Sequence, residues 1–262
     1  MGGAAGEDGV ALRVIVSLLL VLFVLIPPAA KAQTEVDLAL VLAVDMSGSM
    51  DPEEQTLQRE GFLEAFRSTM IHDAIREGVH GRIAVVYMEW ADTLSRKVAI
   101  PWTVIDGPKT ARDFADRLSR SPIWQERGTS ISGAIDASVK LLDESRVEPV
   151  RRVIDISGDG ANNQGRPLPA ARDEALAKGI TINGLPLMLK RPNSFDIESL
   201  DIYYRDCVIG GPGAFMIPIR RREQFAEAIR DKLIREIGGL VGEPEIIPVQ
   251  VERRLDCLKR VD

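Results

Sequence analysis

The sequence predicts an α/β fold built on a doubly wound, mostly parallel sheet with helices on both faces. Three observations carry this. Apolar runs of strand length at 36–45, 82–88, 152–157 and 180–187 alternate with helix-length amphipathic segments. The runs are apolar at most positions, as in strands covered on both faces. Alternation of strand and helix favours parallel neighbours, which need long crossovers.

Each element follows in order. The run 36–45 stops at Asp45, and Asp51-Pro52-Glu53-Glu54 opens a helix. Asp51 can cap free N–H groups, Pro52 suits the first helical position, and Glu54 completes a capping box. Leu57, Phe62, Phe66 and Met70 give that helix an apolar face, which Gly61 weakens locally. Strand 82–88 is followed by the short turn Ala91-Asp92-Thr93 and a third strand at 95–104, a connection that permits only an antiparallel neighbour. Helices are expected at 109–118 and 130–142, the latter with Ile131, Ile135, Val139 and Leu142 on one face. The buried strand 152–157 ends at Gly158-Asp159-Gly160. A helix at 169–178, a strand at 180–187, a last strand at 214–219 and a closing helix at 224–237 complete the pattern, with Phe225, Ile229 and Leu233 inward.

Composition narrows the function classes. The 262 residues suit one large domain or two small ones. With 33 basic against 39 acidic residues the net charge is −6, which argues against a nucleic-acid footprint. Charged residues at 27% and apolar ones at 45% are ordinary for a globular chain. Two histidines and two cysteines cannot build a Cys/His zinc cluster, so metal chemistry must use oxygen ligands.

The N-terminus reads as an export signal. Residues 14–26 are apolar apart from Ser17, Arg13 precedes them, and Pro27-Pro28 and Ala30-Lys31-Ala32 follow. This predicts a signal peptide at residues 1–32 and a periplasmic or secreted protein without a stable membrane span after cleavage. The run is short for a span, which needs about 20 residues. Glu7 and Asp8 weaken the basic flank, and an uncleaved anchor is the competing reading. The domain then covers residues 33–237, and 238–262 form a tail laid over it. In an oxidising compartment Cys207 and Cys257 can form a disulfide that ties the tail down; two unrelated buried cysteines are the alternative.

Ligands of open α/β sheets bind at the carboxyl ends of the strands, and candidate residues collect there. Asp45-Met46-Ser47-Gly48-Ser49 is a D-x-S-x-S motif, Thr129 immediately precedes a helix, and Asp159 ends a strand. Asp45, Ser47, Ser49, Thr129 and Asp159 form a hard-oxygen set suited to magnesium or manganese. Neutral hydroxyls leave such an ion electron-poor, so an external carboxylate can complete its shell. The chain resembles a von Willebrand factor type A domain, and these five residues match all positions of that family's metal-ion-dependent adhesion site. Tyr203-Tyr204-Arg205-Asp206-Cys207 and Gly210-Gly211-Pro212-Gly213 resemble a bacterial exported group of such domains with no assigned function. The resemblance covers about residues 36–237. It implies a six-stranded Rossmann-like sheet with one antiparallel edge strand, no catalysis, and an unidentified protein partner presenting a carboxylate.

The rival is a magnesium-dependent phosphatase of the haloacid-dehalogenase type. Its nucleophile loop needs an acid where Ser47 stands, and the second motif ends in Asn163 rather than an acid. Ser157 lacks the setting of a hydrolase nucleophile. His72 and His80 are expected as solvated residues of a helix-to-strand connection, and Arg220-Arg221-Arg222 as a solvated helix entry, an acidic partner being the less expected alternative. Trp90 and Trp124 are candidate contact anchors or core caps, with Glu126 and Arg127 on the same edge. Trp102 reads as packing.

Overall fold

A computed structural model describes residues 33–190, 199–239 and Cys257. The expected signal segment and most of the tail lie outside the described residues. The chain runs β1 (Thr34–Asp45), α1 (Pro52–Arg67), α2 (Thr69–Arg76), β2 (Ile83–Trp90), β3 (Arg96–Ile105), α3 (Pro108–Ser119), α4 (Ile131–Asp143), β4 (Val147–Gly158), α5 (Leu168–Ala177), β5 (Ile180–Pro186), α6 (Leu200–Tyr203) and α7 (Phe225–Gly238). A π-helical turn, Tyr204–Val208, follows α6 directly. Among the described residues five strands form one sheet in the order β3-β2-β1-β4-β5, parallel except for the β2–β3 hairpin.

Strand periodicity divides β1 between two cores. Leu38, Leu40, Leu42 and Val44 pack with Phe62, Phe66, Ile71, Phe114, Ile229 and Leu233, placing α1, α2, α3 and α7 on one face. Ala39, Val41 and Ala43 pack with Ile131, Ile135, Ala171, Ala175 and Tyr204, placing α4 and α5 on the other. Each large apolar side chain so buried contributes about 1.5–3 kcal/mol. The capping box at Asp51 and Glu54 forms in both directions, at 2.8 and 2.9 Å. Gly61 has a packing reason: a Cβ there would lie 2.6 Å from Ile229 Cδ1 on α7.

Several expectations need correction. The helix that begins at Pro52 ends at Arg67, because Ser68 is extended and caps a second helix through Met70 N. Met70 therefore leaves the apolar face of α1 and is 47% exposed. His72 lies in that second helix, buried, with Nε2 2.9 Å from Phe66 O. The expected sixth strand is not formed; residues 214–219 meet β5 only through isolated parallel bridges, Gly184↔Met216 and Leu187↔Ile219. Ile217 N donates to Gly184 O and Ile219 N to Pro186 O, but the rung between them needs a donor from residue 186. Proline has no N–H, so the ladder breaks there. The arginine run meets acids of its own chain: Arg220 pairs with Asp201 and Arg222 with Asp51 and Glu53.

Beneath α7 lies a buried charged cluster. Lys232 Nζ is 2.6 Å from Asp155 Oδ1 and 2.5 Å from Glu236 Oε1, while Asn183 Nδ2 donates to Glu236 at 2.9 Å. Two acids share one ammonium. Burial and the Asp155 charge push Glu236 up to about 7, although Lys232 and Asn183 oppose this.

A folded-state value above the unfolded one means that the native state holds the extra proton at mildly acid pH. The contribution of this group to stability is therefore fully present below the unfolded carboxylate range and is lost as pH rises through about 7. Glu236→Gln should reduce that loss, measured as urea-unfolding free energies at pH 5 and pH 8.

Cys207 and Cys257 form a disulfide, with Cα atoms 5.5 Å apart across a sequence separation of 50. Closing a loop of that size stabilises by about 4 kcal/mol in the chain-entropy model. Replacing both cysteines with alanine should lower the urea-unfolding free energy by about that amount.

Candidate functional site

The chain leaves β1 towards β2 on one side, while β4 flanks β1 on the other and continues to β5. The boundary between β1 and β4 is a topological switch point, where loops diverge and leave a crevice. Val44 pairs with Ser157 across it, so Asp45 and Asp159 emerge side by side at the strands' carboxyl ends.

Four of the five candidates form one linked set. Asp45 is fully buried, and its Oδ1 accepts from Ser47 N at 2.7 Å. Ser47 Oγ lies 2.9 Å from Ser49 Oγ, and Ser49 Oγ donates to Asp159 Oδ1 at 2.6 Å. Thr129 approaches from another loop: a Cβ at Gly160, next to Asp159, would lie 3.8 Å from Thr129 Oγ1. Ser47, Ser49 and Thr129 line an open groove of about 710 Å³ together with Gln125, Glu126, Arg127 and Asn163.

The two carboxylates are electrostatically strained. Burial, then the Asp159 charge, pushes the Asp45 carboxyl up to about 8 against the opposing hydrogen bonds from Ser47. Asp45 Oδ2 is buried without a hydrogen-bond partner. An unsatisfied buried carboxylate oxygen is costly, and a divalent cation is a partner that would satisfy it. Among the described residues no group of three His, Cys, Asp or Glu side chains is placed to hold a metal. Any ion here would have to use the two carboxylates, the hydroxyls of Ser47, Ser49 and Thr129, and water. That donor set suits a hard cation.

Several contacts hold these loops in register. Glu126 N donates to Met46 O at 3.1 Å, and Gln125 Nε2 to Met50 O at 2.6 Å. Arg59, nearly buried, pairs with the fully buried Glu89 and donates to Ser121 O, fastening the start of the same loop. On the opposite side Thr129 N donates to Asn163 Oδ1 and Asn163 N returns a bond to Thr129 O, at 3.0 and 2.9 Å. Asn162 Oδ1 accepts from Ser132 N at 2.9 Å, and Asn162 N donates to the Tyr203 hydroxyl at 3.2 Å. The segment after Asp159 therefore grips both the Thr129 loop and the start of α4.

Sequence reasoning missed Lys190. Its Nζ donates to Glu54 Oε2 at 2.6 Å and to Ser49 O, and lies 3.7 Å from Asp159 Oδ2. Burial disfavours its charge, but the Glu54 bond and the Asp159 and Asp51 carboxylates outweigh this and hold its pKa above the usual lysine value. No local motif marks it, since Glu54 lies 136 residues away in sequence. The anchor role considered for Trp90 is overturned: it ends β2 with no exposure at all. Trp124 is half-buried against the core, whereas Gln125, Glu126 and Arg127 are exposed.

Comparison with known proteins adds a family and a fold. A family model described as "Protein of unknown function (DUF1194)" matches residues 35–241. No curated protein sequence matches the chain. Among solved structures, the pilus adhesin SpaC from Lactobacillus rhamnosus GG is similar with a TM-score of 0.60 at 12% identity, covering 78% of this chain and 31% of that one. A von Willebrand factor type A protein from Catenulispora acidiphila gives 0.56 at 16% identity, covering 78% and 43%. Proximal thread matrix protein 1 from the mussel byssus, with a zinc-occupied metal-ion-dependent adhesion site, gives 0.54 at 12%, covering 77% and 46%. This chain thus spans less than half the length of these neighbours, and the likeness is one of fold.

Gly158 tests the packing of the site. A Cβ there would lie 2.7 Å from Asp45 Oδ2 and 3.1 Å from the Tyr204 hydroxyl, both fully buried. Gly158→Ala should cost about 1–3 kcal/mol by overpacking, measured by thermal unfolding, and its crystal structure should show the Asp45 carboxylate displaced.

Proposed function

This chain belongs to the DUF1194 family, and from that premise we propose that it is an exported, metal-dependent protein-binding module. In this reading it docks an acidic group of a partner protein through a magnesium or manganese ion, without catalysis. Asp45, Ser47, Ser49, Thr129 and Asp159 hold the ion, directly or through water. The signal segment at residues 1–32 directs export to the periplasm or beyond, and the Cys207–Cys257 disulfide suits that oxidising compartment.

One observation carries the reading. Two carboxylates sit together at the switch point, one with a buried oxygen lacking any partner, under a groove edged by hydroxyls. A cation relieves their repulsion, and the ion supplies a Lewis-acidic contact for an incoming carboxylate. The neighbours support the same reading, since one is named as an adhesin and another carries zinc at its adhesion site.

A single carboxylate–metal contact is too small for a selective complex, so surrounding side chains must add area and exclude water. The exposed Gln125, Glu126 and Arg127 border the groove and supply polar and charged contacts. Trp124 contributes only what its half-buried ring leaves accessible. Specificity is therefore read mainly by polar groups around the ion.

Two measurements test this. Calorimetric titration with magnesium and manganese should show one site in the wild type and none in Asp45→Ala, because one carboxylate cannot balance a divalent charge. Partners captured from periplasmic extract in magnesium should be lost in EDTA and should not bind Asp45→Ala, with circular dichroism confirming the fold. Capture that persists undiminished in EDTA would place the partner elsewhere.

A further inference from the structure

We propose that Lys190 is a built-in cationic competitor at this site, an ammonium held against Asp159 and Ser49 that lowers the affinity for a divalent ion. The proposal rests on the metal reading above and concerns how that same site is tuned.

The position of the ammonium is well determined by its partners. Glu54 Oε2, which accepts the Lys190 bond at 2.6 Å, also accepts Asp51 N at 2.9 Å in the capping box. Glu54 is nearly buried and sits on the first turn of α1, a rigid element. The lysine therefore has a fixed anchor in Glu54, closer to it than Asp159 is. From that anchor Nζ reaches Ser49 O and comes within 3.7 Å of Asp159 Oδ2. Ser49 and Asp159 are two of the five candidate ligands, and they are bonded to each other.

Charge accounting gives the sign. Asp45, Asp159 and Glu54 present three carboxylates at this end of the sheet, and Lys190 Nζ lies within ion-pair distance of two of them, Glu54 and Asp159. The neighbouring acids Asp51 and Glu53 are paired with Arg222 instead. A divalent ion taking oxygen from Asp159 must share that carboxylate's field with an ammonium already beside it. Two like charges at such separations repel appreciably in a partly buried setting. Binding must therefore either tolerate the ammonium or push it towards Glu54. The lysine's unbranched four-carbon stem permits that swing, and its side chain is 46% exposed.

This arrangement has a use. In the ion-free state the ammonium offsets part of the negative charge of Asp159. When the ion binds, the ammonium stays close by, so an acidic partner group meets both a metal and a lysine. Weaker ion binding is then exchanged for a site whose full positive potential appears only once the ion is seated.

Calorimetric titration of the purified protein with magnesium at fixed pH and ionic strength tests this. Lys190→Met should bind magnesium roughly tenfold more tightly than the wild type, the size expected for removing a like charge at close range. Lys190→Arg, which keeps the charge, should bind like the wild type. Glu54→Gln removes the anchor and one negative charge and should bind more weakly. If Lys190→Met leaves Glu54 unpaired and unfolds the protein, Lys190→Met in the Glu54→Gln background serves instead, and should bind more tightly than Glu54→Gln alone. Equal or weaker binding on loss of the lysine would overturn the proposal while leaving the metal reading intact. Absence of magnesium binding in every variant, wild type included, would overturn both.

Discussion

Two carboxylates forced together in a buried place are the constraint around which this end of the molecule is organised. Asp45 and Asp159 are brought side by side by the parallel pairing of β1 and β4, and neither strand can shift without moving its whole apolar face. Burial, and then the Asp159 charge, raises the Asp45 carboxyl far above the usual carboxylate range. The serine hydroxyls, the Ser47 amide and the Lys190 ammonium each answer part of the negative charge there. None of them partners Asp45 Oδ2. The strain is local, and the sheet beneath it is packed well enough to sustain it.

The loops above the sheet are held by polar contacts, because their backbone groups cannot join the strand ladders. The segment that begins at Ser121 is fastened by Arg59, Gln125 and the Glu126 amide. The Thr129 loop is fastened by Asn162 and Asn163, whose short amides bond backbone groups at the start of α4. Asn162 is braced in turn by Tyr203, which leads into the π-helical turn that carries Cys207. The disulfide to Cys257 thus anchors the element that supports the segment following Asp159. Fixed loops matter here because the candidate oxygens come from three separate stretches of chain.

How much of this was legible differs by element. The strand-and-helix alternation and the capping box at Asp51–Glu54 were readable because they depend on neighbours within a few residues. The antiparallel hairpin was readable because its connection is too short for any other arrangement. The sixth strand was not: 214–219 has strand-like composition, but its pairing depends on a proline in a different segment. Trp90 was ambiguous for a similar reason, since its burial is decided by the core it joins with residues of α4, distant in the chain. His72 read as surface because the break at Ser68, which starts a second helix, is marked only by a single capping serine.

The sequence by itself determined the fold class and the residues expected to matter, Asp45, Ser47, Ser49, Thr129 and Asp159. It could do so because periodicity and motif spacing are local properties that survive without coordinates. Only the tertiary structure decided the electrostatics among them. It set the repulsion that loads Asp45, the clamp of Asn162 and Asn163 on the Thr129 loop, and the place of Lys190 between Glu54 and Asp159. These are contacts between residues distant in the chain, and their energies depend on separation and burial. Both quantities exist only once the sheet has brought the strand ends together.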